Sequence, residues 1–297
     1  MRLALLTNGH SRVVAIEEHG AFYRWGDSGR VRPAESILDL IRSGELLASR
    51  GAEHATEPIA TPVEVLAPFP NPPRNIICLG KNYAAHAEEF SESMEDSVEL
   101  SIPEVPIFFT KAPTTVRGPD ATITVDPGVT SEVDYEVELA VVIGERARDV
   151  APEDAHRVVA GYTIINDLTA RDLQRQHKQW FLGKSVDGFC PMGPVFVTAD
   201  EFAFPPVLAL SLKVDGEVRQ SASTADMVFD IPNIIATLSR VMTLVPGDII
   251  ATGTPGGVGV GSHPPRFLTD GSVVEAAIEG IGVLRNTIRF ESRSKVG

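Results

Sequence analysis

The amino-acid sequence predicts a β-rich α+β fold, in which a mixed β-sheet or roll follows a small α+β domain. From residue 75 onward, short apolar runs alternate with Gly and Pro turns, and few helical periodicities interrupt them. Six prolines between Glu57 and Arg74 cannot continue a helix or a central strand, so they mark a linker. We therefore predict two domains, over residues 1–73 and 74–297.

The predicted N-terminal domain combines a hairpin with one helix. Its first residues form two short apolar runs joined by an Asn8-Gly9 turn, which is typical of a β-hairpin. Apolar residues at helical spacing then predict a helix over Pro33–Ala48. In the second domain, helices are predicted chiefly over residues 82–90, 168–180 and 230–242.

Composition excludes several classes of partner. The formal net charge of −14 argues against nucleic acid and against an anionic membrane surface. No apolar stretch approaches the length of a membrane span. The two cysteines, Cys78 and Cys190, fit neither a disulfide framework nor a zinc spacing. We therefore expect a protein of the reducing cytoplasm.

An acidic strand is the most informative segment. Over Val133–Gly144, apolar and polar residues alternate, which places Asp134, Glu136 and Glu138 on one face of a strand. The remainder of this strand is apolar on both faces, so we expect it to be buried. Buried carboxylates must be protonated, paired or bound to metal, and oxygen ligands favour Mg²⁺, Mn²⁺ or Ca²⁺ over zinc. The alternative is an acidic face of an edge strand in water.

Asp167 ends a second apolar strand just before a predicted helix. As bare structure it would cap that helix. Thr169 and Asp172 offer a capping box of their own, however, which would leave Asp167 to point elsewhere, as a metal ligand for example.

Lys184 lies among apolar and small residues. A lysine there either extends its ammonium group to water or pairs with nearby carboxylates. As a functional residue, it would bind a substrate carboxylate or stabilise an oxyanion.

His86 and Glu89 are three residues apart on a predicted helix, so they face the same way. A carboxylate beside an imidazole can orient it and raise its basicity, which would give a dyad able to take a proton from water. The glycine-rich loop after residue 251 lets backbone N–H groups and the Thr252 and Thr254 hydroxyls approach an anionic ligand. That loop lacks the lysine of a phosphate-binding P-loop.

Together these segments resemble the fumarylacetoacetate hydrolase family. The matching segments, in the order of the family, are GKNYAAHAEE, PIFFTKAPTTVRGP, DYEVELAVVIG, GYTIINDLTARDLQ, FLGKS, GDIIATGTPGGVG and IEGIGVLRNT. The resemblance implies a mixed β-roll, usually dimeric, with the N-terminal domain similar to the small extra domain of longer bacterial members. It also implies a metal held by Glu136, Glu138 and Asp167, with Lys184 beside it.

The resemblance further implies a His86/Glu89 dyad on a lid segment that closes over the substrate. Gln174 and Thr254 would contact the substrate, and we add Lys111 and Gly253 from the matching segments to this substrate-binding set. The lid segment between Glu89 and Pro106 is longer and more acidic than is usual in the family. We expect residues 90–104 to be mobile when the site is empty.

Three functional hypotheses follow. The first is Mg²⁺-dependent hydrolysis of a C–C bond in an acylpyruvate-type 1,3-diketo acid, with Glu89 orienting His86, His86 deprotonating water, and Lys184 stabilising the oxyanion. The second uses the same metal without the water: decarboxylation of oxaloacetate, or isomerisation or tautomerisation of a hydroxymuconate-type acid. The third is a protein without catalytic activity whose cation fastens the sheet. The expected partners are a small keto acid and a second copy of the chain.

Overall fold

The computed structural model describes residues 1–26, 34–48, 58–60, 63–93 and 103–292. Within these residues strands outnumber helices, and the predicted β-rich α+β class is confirmed. The strands are β1 (Arg2–Thr7), β2 (Arg12–Glu18), β3 (Ala21–Arg24), β4 (Glu64–Leu66), β5 (Ile76–Gly80), β6 (Ile107–Lys111), β7 (Val116–Arg117), β8 (Thr122–Val125), β9 (Val133–Asp134), β10 (Val137–Ile143), β11 (Val159–Asn166), β12 (Thr169–Ala170), β13 (Cys190–Thr198), β14 (Ala209–Val214), β15 (Glu217–Ser223), β16 (Ile249–Ala251), β17 (Val273–Ile278) and β18 (Gly282–Phe290).

The helices lie near the predicted positions. All are shorter or divided except the third, which ends three residues beyond the predicted range. They are α1 (Ile37–Arg42), α2 (Glu45–Ala48), α3 (Ala84–Ser93), α4 (Arg171–His177), α5 (Phe181–Lys184) and α6 (Ile231–Val241). Ser36 caps α1, because its side chain accepts a hydrogen bond from the Asp39 N–H. Asp230 caps α6 in the same way through the Asn233 N–H. No helix in the described ranges is long and apolar enough to cross a membrane.

The main sheet has eleven strands among the described residues. Its order is β3-β2-β1-β13-β11-β10-β16-β5-β6, with β4 beside β1 and β7 beside β13. The pairs β16–β5 and β13–β7 are parallel, whereas the pairs from β1 to β13, β11 and β10 are antiparallel, so the sheet is mixed as predicted.

The N-terminal hairpin is part of this sheet. Strands β1 and β2 pair around a turn in which Gly9 has a φ of +86°, as the Asn8-Gly9 signal predicts. Strand β1 then pairs with β13, where Leu3 lies opposite Phe196. Backbone hydrogen bonds therefore connect residues on both sides of residue 73, and the division into two domains at that point stays a prediction.

The central strands are buried on both faces. All seven residues of β10 and all eight of β11 are buried. Along β10, Leu139, Val141 and Ile143 belong to one apolar cluster, whereas Ala140 and Val142 belong to another on the opposite face. A charged side chain on these strands must therefore find partners inside the protein.

A five-stranded sheet packs against the first of these clusters. Its order is β15-β14-β17-β18-β8. In β14, Leu210, Leu212 and Val214 are buried in the cluster, and the residues between them are exposed or half-buried. This alternation is typical of an antiparallel sheet with one face packed on the core and the other exposed to solvent.

The predicted acidic strand is interrupted. Tyr135 and Glu136 separate β9 from β10, and β9 forms a small sheet with β12, in which Asp134 lies opposite Thr169. Asp134 and Glu138, which lies opposite Ile165 in β11, therefore belong to different ladders.

Candidate active site

Three carboxylates converge where β10 begins and β11 ends. One side-chain oxygen each from Glu136, Glu138 and Asp167 lies within 4.8 Å of the others, and all three residues are buried. The Asp167 N–H donates to the Glu136 carbonyl oxygen over 2.8 Å, which fixes the two chain segments together. The structure thus brings together the three residues that the sequence predicts as metal ligands.

The hydrogen bonds of Glu138 indicate whether this cluster can bind a divalent cation. Its Oε2 accepts a 2.8 Å hydrogen bond from the Gly253 N–H, whereas its buried Oε1 has no hydrogen-bond partner within the described part of the chain. Burial, together with the charges of Asp167 and Glu136, raises the pKa of Glu138 well above its usual range. Three hard oxygen donors, one of them with an unsatisfied oxygen, suit a divalent cation.

Lys184 neutralises the other two carboxylates. Its Nζ donates to Glu136 Oε2 and to Asp167 Oδ2, both over 2.7 Å, and the residue is 2% exposed. Although burial opposes the ammonium charge, Asp167 and Glu136 raise the pKa of Lys184. Of the two alternatives that the sequence left open, the structure shows the paired lysine.

Two residues of the predicted substrate-binding set contact the carboxylates instead. Lys111 is fully buried, and its Nζ donates to Asp167 Oδ1 over 2.5 Å and to the Leu168 carbonyl oxygen over 3.0 Å. Gly253, which donates to Glu138, has a φ of +93°, and a Cβ there would lie 2.8 Å from Asn82 Cβ. Both residues position candidate metal ligands, and their contact with substrate stays a prediction.

A narrow pocket opens beside the carboxylates. Five residues that the sequence singles out line it together: His86, Glu136, Gln174, Lys184 and Thr254. They come from α3, the connection between β9 and β10, α4, α5 and the loop after β16, so only the tertiary fold brings them together. The Thr254 hydroxyl oxygen accepts from Gln220 Nε2 over 2.8 Å, which leaves the hydroxyl proton to donate to another group.

The imidazole of His86 is held neutral. The residue is 5% exposed, and burial lowers its pKa to about 4, against an ordinary value near 6.5. The negative charge of Glu136 acts in the opposite direction, and the positive charges of Arg171 and Lys184 reinforce the decrease. At neutral pH this side chain can therefore accept a proton.

Glu89, the second member of the predicted dyad, contacts the glycine-rich loop. Both of its carboxylate oxygens accept from the Gly257 N–H, over 2.9 and 2.8 Å. Glu89 thus joins α3, which carries His86, to the loop that carries Thr254. Most of the predicted lid, residues 94–102, lies outside the described residues.

Sequence reasoning missed Arg171 as a site residue. This buried side chain donates from Nε to Asp134 Oδ2 over 2.8 Å and from its two terminal nitrogens to Glu136 Oε1 and Gln174 Oε1, over 2.7 and 3.0 Å. It also lines the pocket. The available signal was chemical: buried carboxylates require cationic partners, and Arg171 follows one of the candidate carboxylates, Asp167, by four residues.

Asp134 has a different role from the one its strand pattern indicates. Its carboxylate accepts from Arg171 and from the N–H groups of Gly259 and Val260, over 2.7 and 3.0 Å. Asp134 therefore anchors the glycine-rich loop and is not one of the three converging carboxylates.

The capping box predicted for α4 is wrong. Ala170 is the N-cap residue and makes no side-chain capping bond. Thr169 donates its hydroxyl to the Asp167 carbonyl oxygen, and Asp172 accepts from the Thr130 hydroxyl and the Ser131 N–H. Asp167 nevertheless points to the cluster, because the two lysine ammonium groups attract it.

Aromatic rings form another wall of the pocket. Phe109 and Trp180 pack edge to face, with ring centroids 5.4 Å apart, and Lys184 Nζ lies 5.1 Å from the Phe109 centroid. A Cβ at Gly80 would lie 2.2 Å from the Trp180 ring, so glycine is required for this close approach.

Fold and site together define an enzyme of the metal-dependent type, with a buried acidic cluster beside a pocket that holds a neutral imidazole. Residues 75–289 match the family described as "Fumarylacetoacetate (FAA) hydrolase C-terminal". The chain belongs to this family, as its motifs indicated.

Relatives and solved structures agree with that assignment. The chain is 52% identical to oxaloacetate tautomerase YisK of Bacillus subtilis over 226 residues, which cover 76% of this chain and 73% of that protein. Among solved structures, a fumarylacetoacetate hydrolase from Exiguobacterium antarcticum has a TM-score of 0.82 at 42% identity, covering 98% of this chain and 100% of that one. A 2-hydroxyhepta-2,4-diene-1,7-dioate isomerase from Mycobacterium marinum has a TM-score of 0.74 at 32% identity, covering 99% and 100%.

Proposed function

We propose that this protein is a metal-dependent tautomerase that interconverts the keto and enol forms of a 2-oxo acid of the oxaloacetate class. The observation that carries the proposal is a buried, neutral His86 in the same narrow pocket as Glu136 and Lys184. Tautomerisation needs a group that moves a proton and positive charge that holds the enolate oxygen. Of the three hypotheses drawn from the sequence, relatives named as a tautomerase and an isomerase favour the second over C–C hydrolysis.

Glu136, Glu138 and Asp167 would hold the cation, for which we propose Mg²⁺, with Mn²⁺ or Ca²⁺ as alternatives. When bound, a divalent cation would polarise the 2-oxo group and lower the pKa of the neighbouring carbon acid. Lys184 donates hydrogen bonds to Glu136 and Asp167, and Arg171 donates to Glu136. Although burial acts in the opposite direction, these two cations lower the pKa of Glu136.

The proton is moved by the chain's own groups. In enolisation, His86 accepts the proton from the carbon next to the 2-oxo group and delivers it to the 2-oxo oxygen. In ketonisation, it accepts the enol proton and delivers it to that carbon. The Thr254 hydroxyl, oriented by Gln220, donates to the substrate. Gln174 lines the pocket, and since its Oε1 accepts from Arg171, we propose that its amide nitrogen donates to the substrate.

We also propose a small keto acid as the partner, a homodimer as the assembly and the cytoplasm as the location. The two cysteines support the last point, because both are buried free thiols.

The test follows the enol of oxaloacetate by its ultraviolet absorbance with purified protein and Mg²⁺. We expect accelerated ketonisation, which His86→Asn lowers by about 100-fold while Mg²⁺ affinity is retained. Pyruvate released as fast as the enol disappears would instead establish a decarboxylase. Absence of both activities, with acylpyruvate cleaved, would overturn the proposal in favour of hydrolysis.

A further inference from the structure

Strand β15, at the edge of the five-stranded sheet, buries one polar side chain. Of its seven residues, all within the described part of the chain, only Gln220 is buried, at 1% exposed. Gln220 lies opposite Leu212 of β14, so it shares the inner face of the sheet with an apolar residue of the core. A buried amide is costly unless its polar atoms are paired, so packing alone would favour an apolar residue at this position.

An irregularity in the sheet accompanies this side chain. Leu212 pairs with Gln220, whereas the next residue of β14, Lys213, pairs with Val218. One residue of β15, Arg219, is therefore extra, which is the pattern of a β-bulge. Bulges change the direction in which neighbouring side chains point, and they are frequent beside active sites. The strand thus has a special local shape at the residue whose side chain enters the interior.

The hydrogen bonds of the Gln220 amide fix its orientation. Its Nε2 donates to Thr254 Oγ1 and to the Pro255 carbonyl oxygen, each over 2.8 Å, and its Oε1 accepts from the Val137 N–H over 3.0 Å. The opposite orientation would place two oxygens against each other at Pro255 and two N–H donors against each other at Val137. The amide group that faces Thr254 is therefore a donor, and the Thr254 hydroxyl oxygen must accept.

These three hydrogen bonds connect two parts of the candidate active site. Val137 lies between the candidate metal ligands Glu136 and Glu138, and Thr254 lies in the loop after β16 and lines the pocket. Because the Thr254 oxygen accepts from Gln220, its proton is what this hydroxyl can offer to a ligand. An oxygen that carries negative charge, such as that of an enolate, accepts such a bond more strongly than a neutral carbonyl oxygen does.

We infer that Gln220 is a positioning residue for the proposed reaction: by fixing the Thr254 hydroxyl as a donor, it makes the pocket stabilise the enolate oxygen more than the carbonyl oxygen of the substrate. This inference rests on the proposed function and assigns a role in it to a residue of the second sheet. Since the stabilisation is greatest when charge has developed on the oxygen, loss of the Gln220 amide should lower kcat more than it raises KM.

The experiment is a double-mutant cycle of Gln220→Met and Thr254→Val, assayed by the ketonisation of oxaloacetate with Mg²⁺. We expect Thr254→Val to lower kcat about 10- to 100-fold, the usual contribution of a hydrogen bond to a charged group. Gln220→Met, which lets the hydroxyl rotate, should lower kcat about 10-fold. The double variant should lie within about twofold of Thr254→Val, because Gln220 acts through a hydroxyl that is already absent. Effects that multiply would overturn the inference, because a residue that only supports the fold acts independently of that hydroxyl.

Asn286→Leu is the matched control. Asn286 is a buried amide of the same sheet, 2% exposed, and its Nδ2 donates to the carbonyl oxygens of Gly118 and Ala121, over 3.0 and 2.9 Å. It is not among the residues that line the described pocket. Gln220→Met and Asn286→Leu should both lower the free energy of unfolding, but only Gln220→Met should lower kcat under conditions in which circular dichroism shows both to be folded. Equal losses of kcat would overturn the inference.

A second variant covers the case in which Gln220→Met does not fold. Gln220→Asn keeps an amide that is one methylene shorter and cannot reach both Val137 and Thr254. We expect the same loss of kcat and the same absence of a further loss when it is combined with Thr254→Val.

Oxalate binding separates failure of this inference from failure of the proposed function. Oxalate is an anionic mimic of a pyruvate enolate, and calorimetry measures its affinity for the Mg²⁺-loaded protein. Gln220→Met and Thr254→Val should each weaken binding, the double variant no more than Thr254→Val, and Asn286→Leu not at all. If the wild type does not accelerate ketonisation, the proposed function fails, while this cycle still decides the role of Gln220. Unchanged oxalate affinity in either single variant, or independent effects of the two, would overturn the inference.

Discussion

The two large sheets accommodate charge in opposite ways. Strands β10 and β11 are buried on both faces, and the charged groups at their ends form ion pairs or are candidates to bind a cation. In the five-stranded sheet, charged residues such as Lys213 and Glu275 lie on the face that water reaches. A buried, unpaired charge costs several kcal/mol, whereas an exposed one costs almost nothing. Charge at the ends of the buried strands β10 and β11 therefore marks the site, and charge in the second sheet carries no such information.

Removing the cation that pairs with the carboxylates at β10 and β11, and one cation of the second sheet, should give the largest contrast. Lys184→Met leaves Glu136 and Asp167 buried without the ammonium group that both contact, so we expect a loss of about 3–5 kcal/mol in the free energy of unfolding. Lys213→Met, on the exposed side of β14, should change it by less than about 0.5 kcal/mol. Urea denaturation without divalent ions measures both. Similar values for the two variants would remove the distinction between the sheets.

Removing one carboxylate from each sheet should give the next largest contrast. Glu138→Gln should lower Mg²⁺ affinity by at least about 100-fold, because it removes the charge of a proposed ligand. The metal-free variant should be at least as stable as the wild type, since Glu138 has a buried oxygen without a partner. Glu275→Gln in β17 is the control. Calorimetric titration measures the Mg²⁺ affinity of both variants. An unchanged affinity in Glu138→Gln would contradict the assignment of Glu138 as a metal ligand.

The smallest contrast is between a buried and an exposed histidine, and it is measured as the pH dependence of the free energy of unfolding. Folding lowers the pKa of His86 from near 6.5 to about 4, so the unfolded chain binds the proton more readily. The stabilising effect of the neutral form is present above about pH 6.5 and is lost as the pH falls towards 4. Between about pH 7 and pH 5, the metal-free wild type should lose about 2 kcal/mol more than His86→Asn. His156→Asn, at an exposed position, should follow the wild type. Parallel stability curves for all three proteins would show that His86 is not buried in its neutral form.

Much of the site could be predicted because it follows local patterns. Alternation along residues 133–144 identified Asp134, Glu136 and Glu138 as candidates, and the end of an apolar run identified Asp167. The resemblance to the family then selected Glu136, Glu138 and Asp167. The family motifs then grouped them with Lys184 and His86. The N-terminal hairpin was equally accessible, since the Asn8-Gly9 signal is strong.

The remaining contacts depend on partners that are distant in sequence. Asp134 binds the backbone of Gly259 and Val260, more than a hundred residues away, and no periodicity contains that information. Arg171 lies in a segment whose helical pattern says nothing about tertiary partners. Thr169 was expected to cap a helix, but pairing of β12 with β9 took its place. In each case a contact with residues distant in sequence, and not the local sequence pattern, determined the position of the side chain.

Trp180, which forms part of the pocket wall, provides an intrinsic fluorescence signal for ligand binding. The chain has two tryptophans, and Trp25 is fully buried among apolar residues of the N-terminal region. Trp180 instead packs on Phe109 at the pocket, close to the Lys184 ammonium group. Indole fluorescence depends on nearby charge and water, so arrival of an anionic ligand should change the emission of Trp180 above a constant background from Trp25. Ligand entry can then be timed in a stopped-flow instrument without a dye or a label.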